Sequence, residues 1–223
     1  MQDTNFKPKA FLFDLNGTMI NDMKYHADAW HATINKKLSF IISYEDVKKE
    51  MYGKNEELLV RIFGKDHFTP EQVETISMQK EKLYQEAYLP SLKLIDGLHQ
   101  FLSKAKDNKI KMAIGSAAIP FNIDFVIDRL DIRSYFDAIV SANNVKLSKP
   151  DPETFINAAD ALGVKPEDCI IFEDVPKGVE SANRAGMKCF VITTTHNVQD
   201  FEHFDNILGY IADYNDPILT HLF

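Results

Sequence analysis

Short apolar runs recur along the chain and are typical of strands buried in a parallel sheet. Five runs are clear and a sixth is weaker, and they span Ala10–Asp14, Lys111–Ser116, Ala138–Ser141, Cys169–Asp174, Cys189–Thr194 and, for the weaker one, Tyr210–Ala212. Segments of helical length lie between the later runs, at Phe121–Leu130, Pro152–Leu162 and Gly178–Ala185. Because strands that alternate with helices are joined by right-handed crossovers, this order predicts an α/β fold with a doubly wound parallel sheet.

The first two predicted strands are separated by a stretch that is too long for one crossover. Its apolar residues recur at helical spacing in four segments, Met23–Lys37, Glu45–Met51, Glu56–Phe63 and Pro70–Tyr88. Thr69 before the last segment is a good N-cap residue, and Pro70 suits a first helical turn. We therefore expect an all-helical cap domain at residues 21–93, inserted into an α/β core domain of residues 1–20 and 94–223, as a lid over the strand ends. The aromatic residues predicted to form the small core of this cap are Trp30, Phe40, Tyr44, Tyr52 and Tyr84.

Composition excludes some classes of function. The chain has 223 residues, of which 45% are hydrophobic, and its net charge of −8 disfavours a general nucleic-acid or membrane-surface role. No stretch reaches transmembrane length, and the N-terminal MQDTNFKPKAFLF has no long apolar leader. Cys169 and Cys189 both lie in apolar runs and are expected to be buried free thiols. These features predict a cytoplasmic protein. A monomer or a weak dimer is expected, although the composition does not determine the oligomeric state.

Polar residues fall at the carboxyl ends of four predicted strands. Asp14 ends the first strand, Ser116 ends the second, and Lys149 follows the third. Glu173 and Asp174 end the fourth. Taken singly, each has an ordinary structural explanation, as a turn residue, a solvated lysine or a helix cap. Because they all occur at the edge where parallel strands end, a shared functional site is the better explanation.

These residue types suit phosphoryl transfer. A carboxylate at a strand end, followed by a tight glycine turn, is how such a nucleophile is presented, which makes Asp14 the candidate. Mg²⁺ prefers hard oxygen ligands and keeps several waters. The candidate metal ligands are Asp14, the backbone carbonyl of Asn16, Glu173 and Asp174.

The phosphoryl group is expected to bind beside these acids. Its equatorial oxygens carry negative charge, which the protein must neutralise during transfer. Ser116 offers a hydroxyl and Ala117 a backbone N–H near a predicted helix start, which is a natural seat for an anion. Lys149 offers a positive charge to both the nucleophile and the phosphate.

With these motifs in place, the chain resembles the haloacid dehalogenase superfamily, and its layout is similar to the β-phosphoglucomutase-like subgroup with a helical cap. The resemblance covers essentially the whole chain. It assigns the nucleophile, the phosphate-binding Ser and Lys, and the metal acids to Asp14, Ser116, Lys149, Glu173 and Asp174 respectively. The cap entry NDMKYHADAW is similar to the subgroup's entry helix, which implies that His26 lies near the active site. The paired metal acids argue against dehalogenation, whose substrates need no metal.

One departure from the family pattern affects the proton chemistry. Asn16 stands where the resemblance implies a second aspartate that shuttles the proton. An amide does not titrate near neutral pH, so Asn16 cannot act as a general acid or base. The chain therefore keeps the nucleophile, Asp14, but lacks the proton shuttle. The residues alone favour a partly buried structural His26 that is satisfied by the backbone, and the resemblance adds a catalytic role as an alternative of comparable support.

A second departure affects the choice between phosphatase and mutase. In the related sugar phosphomutases, an Arg three residues after a cap Gly binds the distal phosphate, and here Glu56 follows Gly53 at that spacing. A carboxylate there repels a second phosphate. Lys54 and Lys80 are candidates to compensate in the cap, although a solvated helix face is the simpler explanation for both.

The favoured function is therefore Mg²⁺-dependent hydrolysis of a small phosphorylated metabolite through an aspartyl-phosphate, weakened by Asn16. Two alternatives stay open at this point. One is a phosphomutase of the β-phosphoglucomutase type, and the other is a catalytically silent protein that binds a phosphorylated ligand.

Overall fold

The computed structural model describes residues 7–223 and divides them into two compact units. The core unit combines the described residues up to Asn21 with Lys93–Phe223, and the cap unit is Asp22–Leu92. Within residues 7–223, no helix has the length and apolar character needed to cross a membrane. The prediction that the N-terminus carries no leader falls mainly on residues 1–6, which lie outside the described residues.

The core unit is built on a six-stranded, all-parallel sheet in the order β3-β2-β1-β4-β5-β6. The strands are β1 (Ala10–Phe13), β2 (Lys111–Gly115), β3 (Ala138–Val140), β4 (Cys169–Glu173), β5 (Lys188–Ile192) and β6 (Ile207–Ile211). The five clear apolar runs all form strands, each ending one or two residues before its run. The backbone N–H groups of Asp14 and Ser116, just beyond β1 and β2, still donate to Phe172 and Val140 of the neighbouring strands. Strands β1 to β3 follow one another toward one edge of the sheet, and β4 to β6 follow one another toward the other edge. The strand order therefore reverses between β1 and β4, and sheets of this kind bind ligands at that switch point.

Helices cover both faces of this sheet. The core helices are α5 (Leu98–Asp107), α6 (Pro120–Arg129), α7 (Glu153–Leu162) and α8 (Pro176–Arg184), numbered after four cap helices. On one face, Phe155 of α7 and Val179 of α8 pack in one cluster with Leu12 of β1. On the other face, Phe101 of α5 lies 5.2 Å from Phe11, ring centroid to centroid. The predicted doubly wound α/β core is confirmed.

Two features of the core differ from or refine the sequence prediction. The sequence analysis assigned no helix to Leu98–Asp107, although Leu98, Phe101 and Ala105 recur there at helical spacing and are buried. Cys169 and Cys189 are buried and free, as predicted. Burial, aided by nearby acids, raises the pKa of the Cys169 thiol to about 12, which fits an unreactive thiol.

The cap unit is entirely helical in its regular structure. Its helices are α1 (Met23–Ala32), α2 (Tyr44–Glu50), α3 (Asn55–Phe63) and α4 (Pro70–Tyr88), and a π-helical segment, Thr33–Lys37, extends α1. The predicted N-cap is present, since the Thr69 hydroxyl accepts from the Gln72 backbone N–H at 3.3 Å. These observations confirm the inserted helical cap.

The small core of the cap differs in part from the prediction. Trp30 and Tyr84 are buried, as predicted, but Phe40 and Tyr52 are 42% and 38% exposed. Tyr52 lies at the surface because its ring carries the Arg61 guanidinium, 3.6 Å from the ring centroid. The cap cluster is formed instead by aliphatic residues around Trp30, namely Ile34, Val47, Leu58, Leu59 and Ile76.

Candidate active site

A lysine bridges two carboxylates at the switch point of the sheet. Phe13 pairs with Phe172 across β1 and β4, so that the next residues, Asp14 and Glu173, leave adjacent strands at the same level. Lys149 Nζ donates to Asp14 Oδ1 at 2.7 Å and to Glu173 Oε1 at 2.7 Å. Burial by itself lowers the pKa of Lys149, but the charges of the two acids outweigh it and hold that pKa well above its usual value. Lys149 therefore stays charged and fixes both carboxylates.

Both carboxylate oxygens of Glu173 accept hydrogen bonds within the core unit. Its second oxygen, Oε2, accepts from the backbone N–H groups of Asp174 and Val175 at 2.8 and 2.9 Å, at the start of α8. Gly178 in the first turns of α8 makes room for this carboxyl, because a Cβ there would lie 1.8 Å from Glu173 Oε1. The geometry makes Glu173 an anchor for Lys149.

Asp174 lies between two threonines. Its side chain accepts from the Thr18 hydroxyl at 3.0 Å and from the Thr195 hydroxyl at 2.5 Å, and the residue is 1% exposed. Burial first, and then the charges of Glu173 and Asp14, raise the pKa of Asp174 well above its usual value. Thr195 was not predicted from the sequence, because it lies in the loop beyond Ile192, the last residue of β5, and belongs to no motif.

Ser116 and Ala117 follow the neighbouring strand. Phe13 pairs with Ile114 across β1 and β2, so that Ser116 lies at the same edge of the sheet as Asp14. The buried Ser116 hydroxyl accepts from the Ala118 backbone N–H at 3.1 Å, and Ala117 is half-buried in the loop before α6. The structure thus brings all the predicted core residues to one edge.

The turn that carries Asn16 is fixed by one hydrogen bond within the turn and by another from a neighbouring loop. Asn16 is half-buried, and the Gly17 N–H donates to the Ile20 carbonyl at 2.8 Å. From outside the turn, the Thr194 hydroxyl donates to the Gly17 carbonyl at 2.5 Å. The backbone carbonyl of Asn16 is therefore part of a turn with a fixed conformation.

A buried cluster in the cap unit contains two of the predicted site residues. Lys80 is 2% exposed, so the prediction that it lies on a solvated helix face is wrong. Its Nζ lies 2.7 Å from His26 Nδ1 and 3.0 Å from Glu81 Oε2. Burial lowers the pKa of Lys80, and the charges of Glu81 and Asp22 offset only part of this effect. An apolar pattern does not reveal that Lys80 is buried, because that burial depends on packing against His26 of another helix.

His26 is held by side chains on several sides. Its Nε2 lies 3.3 Å from Asp22 Oδ2, and its ring stacks on Tyr84 with 3.7 Å between ring centroids. Because a charged Lys80 can only donate, its contact with Nδ1 favours the neutral ring with the proton on Nε2, toward Asp22. Lys54, in contrast, is half-buried at the start of α3, where its backbone N–H donates to Glu57.

Comparison with known proteins identifies the family. Residues 8–186 match the family model described as haloacid dehalogenase-like hydrolase. The chain belongs to this family. The resemblance stated from the motifs is confirmed, and so is the prediction of an enzyme of the haloacid dehalogenase-like phosphatase type.

Relatives of this hydrolase include both phosphatases and a mutase. A β-phosphoglucomutase from Bacillus subtilis is 32% identical over 80% of this chain and 80% of its own length. A validoxylamine A 7'-phosphate phosphatase from Streptomyces hygroscopicus is 26% identical over 94% of this chain and 97% of its own length. Among solved structures, a haloacid dehalogenase-family hydrolase from Entamoeba histolytica has a TM-score of 0.84 at 26% identity, covering 96% of this chain and 97% of that one.

The acids of this hydrolase fit a divalent cation in charge and in donor type. Within residues 7–223, no three His, Cys, Asp or Glu side chains are arranged so that they could together hold a metal ion. Lys149 nevertheless pairs with only two of the acids, Asp14 and Glu173, while the neighbouring Asp174 feels the negative charges of both. Buried carboxylates need a compensating cation, and carboxylate and carbonyl oxygens are the donors that Mg²⁺ prefers.

Replacement of Gly17 by Ala is expected to displace Asp174 and to lower phosphate release, assayed with Mg²⁺ present, by at least about tenfold. A Cβ at Gly17 would lie 2.1 Å from Asp174 Oδ2, and the residue has a φ of +80°. Gly186→Ala is the matched control, since Gly186 has a φ of +72° but no atom within 4 Å of the added Cβ. Both variants share a backbone strain of about 1–2 kcal/mol, visible as a fall in melting temperature. Equal activity in the two variants would show that the close approach of Gly17 to Asp174 is unimportant.

Proposed function

We propose that this enzyme hydrolyses a small phosphorylated metabolite in a Mg²⁺-dependent reaction through an aspartyl-phosphate on Asp14. The observation that carries the proposal is the Lys149 bridge, which fixes the Asp14 carboxylate at the switch point of the sheet. Ser116, beside it, supports phosphate binding at the same edge. The named relatives, one a phosphatase of a phosphate ester and one a phosphomutase, agree with this reaction type.

Each active-site residue has a distinct role in the proposed reaction. Asp14 attacks phosphorus, forming a bond between its carboxylate oxygen and phosphorus while the bond from phosphorus to the ester oxygen breaks. Lys149, the Ser116 hydroxyl and the Ala117 N–H bind the phosphoryl oxygens and neutralise their charge. Water then attacks the phosphorus, which releases phosphate and restores the carboxylate.

The metal would be held by Asp14, Asp174 and the backbone carbonyl of Asn16. When bound, Mg²⁺ reduces the repulsion between the attacking carboxylate and the anionic phosphoryl group. Glu173 was also predicted as a ligand, but its hydrogen bonds to Lys149 and to backbone N–H groups favour a supporting role. Lys54 and Lys80 stay candidates for substrate contacts from the cap, and the buried partners of Lys80 favour a structural role for it.

The experiment that tests the proposal is a phosphate-release screen over many phosphorylated metabolites. Each compound is incubated with Mg²⁺ or with EDTA, using this protein and Asn16→Asp side by side. We expect Mg²⁺-dependent release from at least one compound, which EDTA abolishes. Binding of phosphorylated compounds without turnover in either protein would support the silent ligand-binding alternative and contradict the proposal.

A mutase is the second candidate, because the Bacillus subtilis β-phosphoglucomutase is a relative. We expect β-glucose 1-phosphate, if it reacts, to yield inorganic phosphate and no glucose 6-phosphate, with or without a bisphosphate primer. The reason is that Glu56, an exposed residue in the first turn of α3, opposes a second phosphate where the sugar phosphomutases carry Arg. Separating the two products by coupled assays checks this. Primer-dependent glucose 6-phosphate, formed faster than phosphate is released, would establish the mutase instead.

A further inference from the structure

Asp174 is held by two hydroxyl groups that come from different parts of the core unit. Thr18, in the turn after β1, donates to Oδ1 at 3.0 Å. Thr195, in the loop after β5, lies 2.5 Å from Oδ2. Because each oxygen is tied to a different segment, the carboxylate cannot rotate about its bond to Cβ without breaking a buried hydrogen bond.

The neighbours of Thr195 determine where its single hydroxyl hydrogen points. The Oγ1 atom lies 2.5 Å from Asp174 Oδ2, 2.9 Å from the Asp174 carbonyl and 2.9 Å from His196 Nδ1. The Asp174 carbonyl can only accept, as can Oδ2 in the ionised form that binds a cation, whereas an imidazole Nδ1–H can donate to Oγ1. When His196 carries its proton on Nδ1 and donates it to Oγ1, the Thr195 hydrogen can bond to an oxygen of Asp174. The 2.5 Å distance from Oγ1 to Asp174 Oδ2 is typical of a hydrogen bond from a hydroxyl to a carboxylate.

The threonine on the other side is fixed as well. The Tyr214 hydroxyl donates to the Thr18 carbonyl at 3.2 Å, and the Thr194 hydroxyl binds the preceding carbonyl, that of Gly17. The backbone segments that carry Thr18 and Thr195 are therefore themselves fixed by hydrogen bonds at this edge of the sheet. This arrangement orients one carboxylate, at the position where the proposed metal is held.

We propose that Thr195 is a positioning residue, which acts through Asp174 by holding its carboxylate in the orientation that binds the divalent cation. The inference rests on the proposed function, in which Asp174 is a metal ligand. Partners of this kind, which hold a ligand without touching the metal, typically change metal affinity by about 10–100-fold when removed.

The test measures Mn²⁺ binding to the whole protein by electron paramagnetic resonance, which needs no substrate and no turnover. Thr195→Val removes the hydroxyl at almost constant volume and should weaken Mn²⁺ binding by about 10–100-fold. Thr195→Ser keeps the hydroxyl and should bind within about threefold of the original protein, well inside that range. Thr193→Val is the control, because the Thr193 hydroxyl donates to the Ile211 carbonyl at 3.3 Å, and it should leave binding unchanged.

Asp174→Asn separates failure of the inference from failure of the proposed function. If Asp174→Asn loses Mn²⁺ binding while Thr195→Val binds like the original protein, the role of Thr195 is overturned and the metal ligand stands. If Asp174→Asn binds Mn²⁺ as tightly as the original protein, Asp174 is not a ligand and both proposals fail. Should Thr195→Val not fold, Thr195→Ala against Thr195→Ser makes the same comparison, and equal binding in that pair overturns the inference.

Discussion

Replacement of Asp14 by Asn is expected to lower phosphate release by at least about 10³-fold, because removing a covalent nucleophile removes the reaction path itself. The fold should survive, since Asp14 lies just beyond the end of β1, and an Asn carbonyl can still accept from Lys149. Release assays with Mg²⁺, together with melting curves, measure both effects.

Asp213→Asn provides the matched control for this loss. Asp213 follows β6 at the far edge of the sheet, and its carboxylate accepts from the Asn215 N–H at 2.7 Å. The same change of charge there should leave turnover within about twofold, as expected for a substitution that touches no reacting group. Metal-independent turnover of a phosphate ester by Asp14→Asn would exclude Asp14 as the nucleophile.

Replacement of Asn16 by Asp is expected to raise the hydrolysis of alkyl phosphates by at least about tenfold. A leaving alkoxide is a strong base that needs a proton, and a positioned general acid or base typically contributes about 10²–10⁴-fold. Asn16 can supply neither function, so this enzyme should favour donors with good leaving groups, such as acyl phosphates or pyrophosphate. The measurement is the ratio of rates on an alkyl phosphate and on acetyl phosphate, which Asn16→Asp should raise.

The control for Asn16→Asp adds the same charge at an exposed position. Asn21→Asp makes that change at an exposed residue of the core unit, and it should leave both rates unchanged. If Asn16→Asp does not hydrolyse alkyl phosphates faster, either another group already transfers the proton or the site is catalytically inactive.

His26 is the candidate for that other group, and its geometry in the cap unit sharpens the test. An imidazole can both accept and donate a proton, and here Lys80 and Asp22 lie against its two ring nitrogens. If His26 shares the role of residue 16, His26→Ala should harm the original protein far more than the Asn16→Asp variant, since the two positions would be non-additive. Equal losses in both backgrounds would assign His26 a structural role.

The sequence was sufficient for the parts of the fold and site that depend on local pattern. Apolar runs followed by polar residues located the strand ends, and the parallel arrangement then brought Asp14, Lys149 and Glu173 together. The weak apolar signal of β6 understated a five-residue strand at the sheet edge, in which only Ile211 is buried and the other residues are half-buried.

What the sequence did not predict depends on contacts between distant segments. Lys80 looked like a surface lysine because its neighbours in sequence are polar, whereas its partner His26 comes from another helix. Thr195 carries no motif, and its role depends on the packing of the loop after β5 against Asp174. Glu173 fits the family pattern of a metal acid, yet only the structure shows that both its oxygens accept hydrogen bonds.

The covalent intermediate on Asp14 is the central claim, and chemical trapping tests it most directly. The protein is incubated with acetyl phosphate and Mg²⁺, reduced with borohydride and analysed by peptide mass spectrometry. Acetate is a weak base and leaves without needing a proton, but Asn16 offers no base for the second step, so the aspartyl-phosphate should accumulate. We predict conversion of residue 14 to homoserine in this protein, less of it in Asn16→Asp, and none without Mg²⁺. Release of phosphate with no modification at residue 14 in either protein would contradict the account.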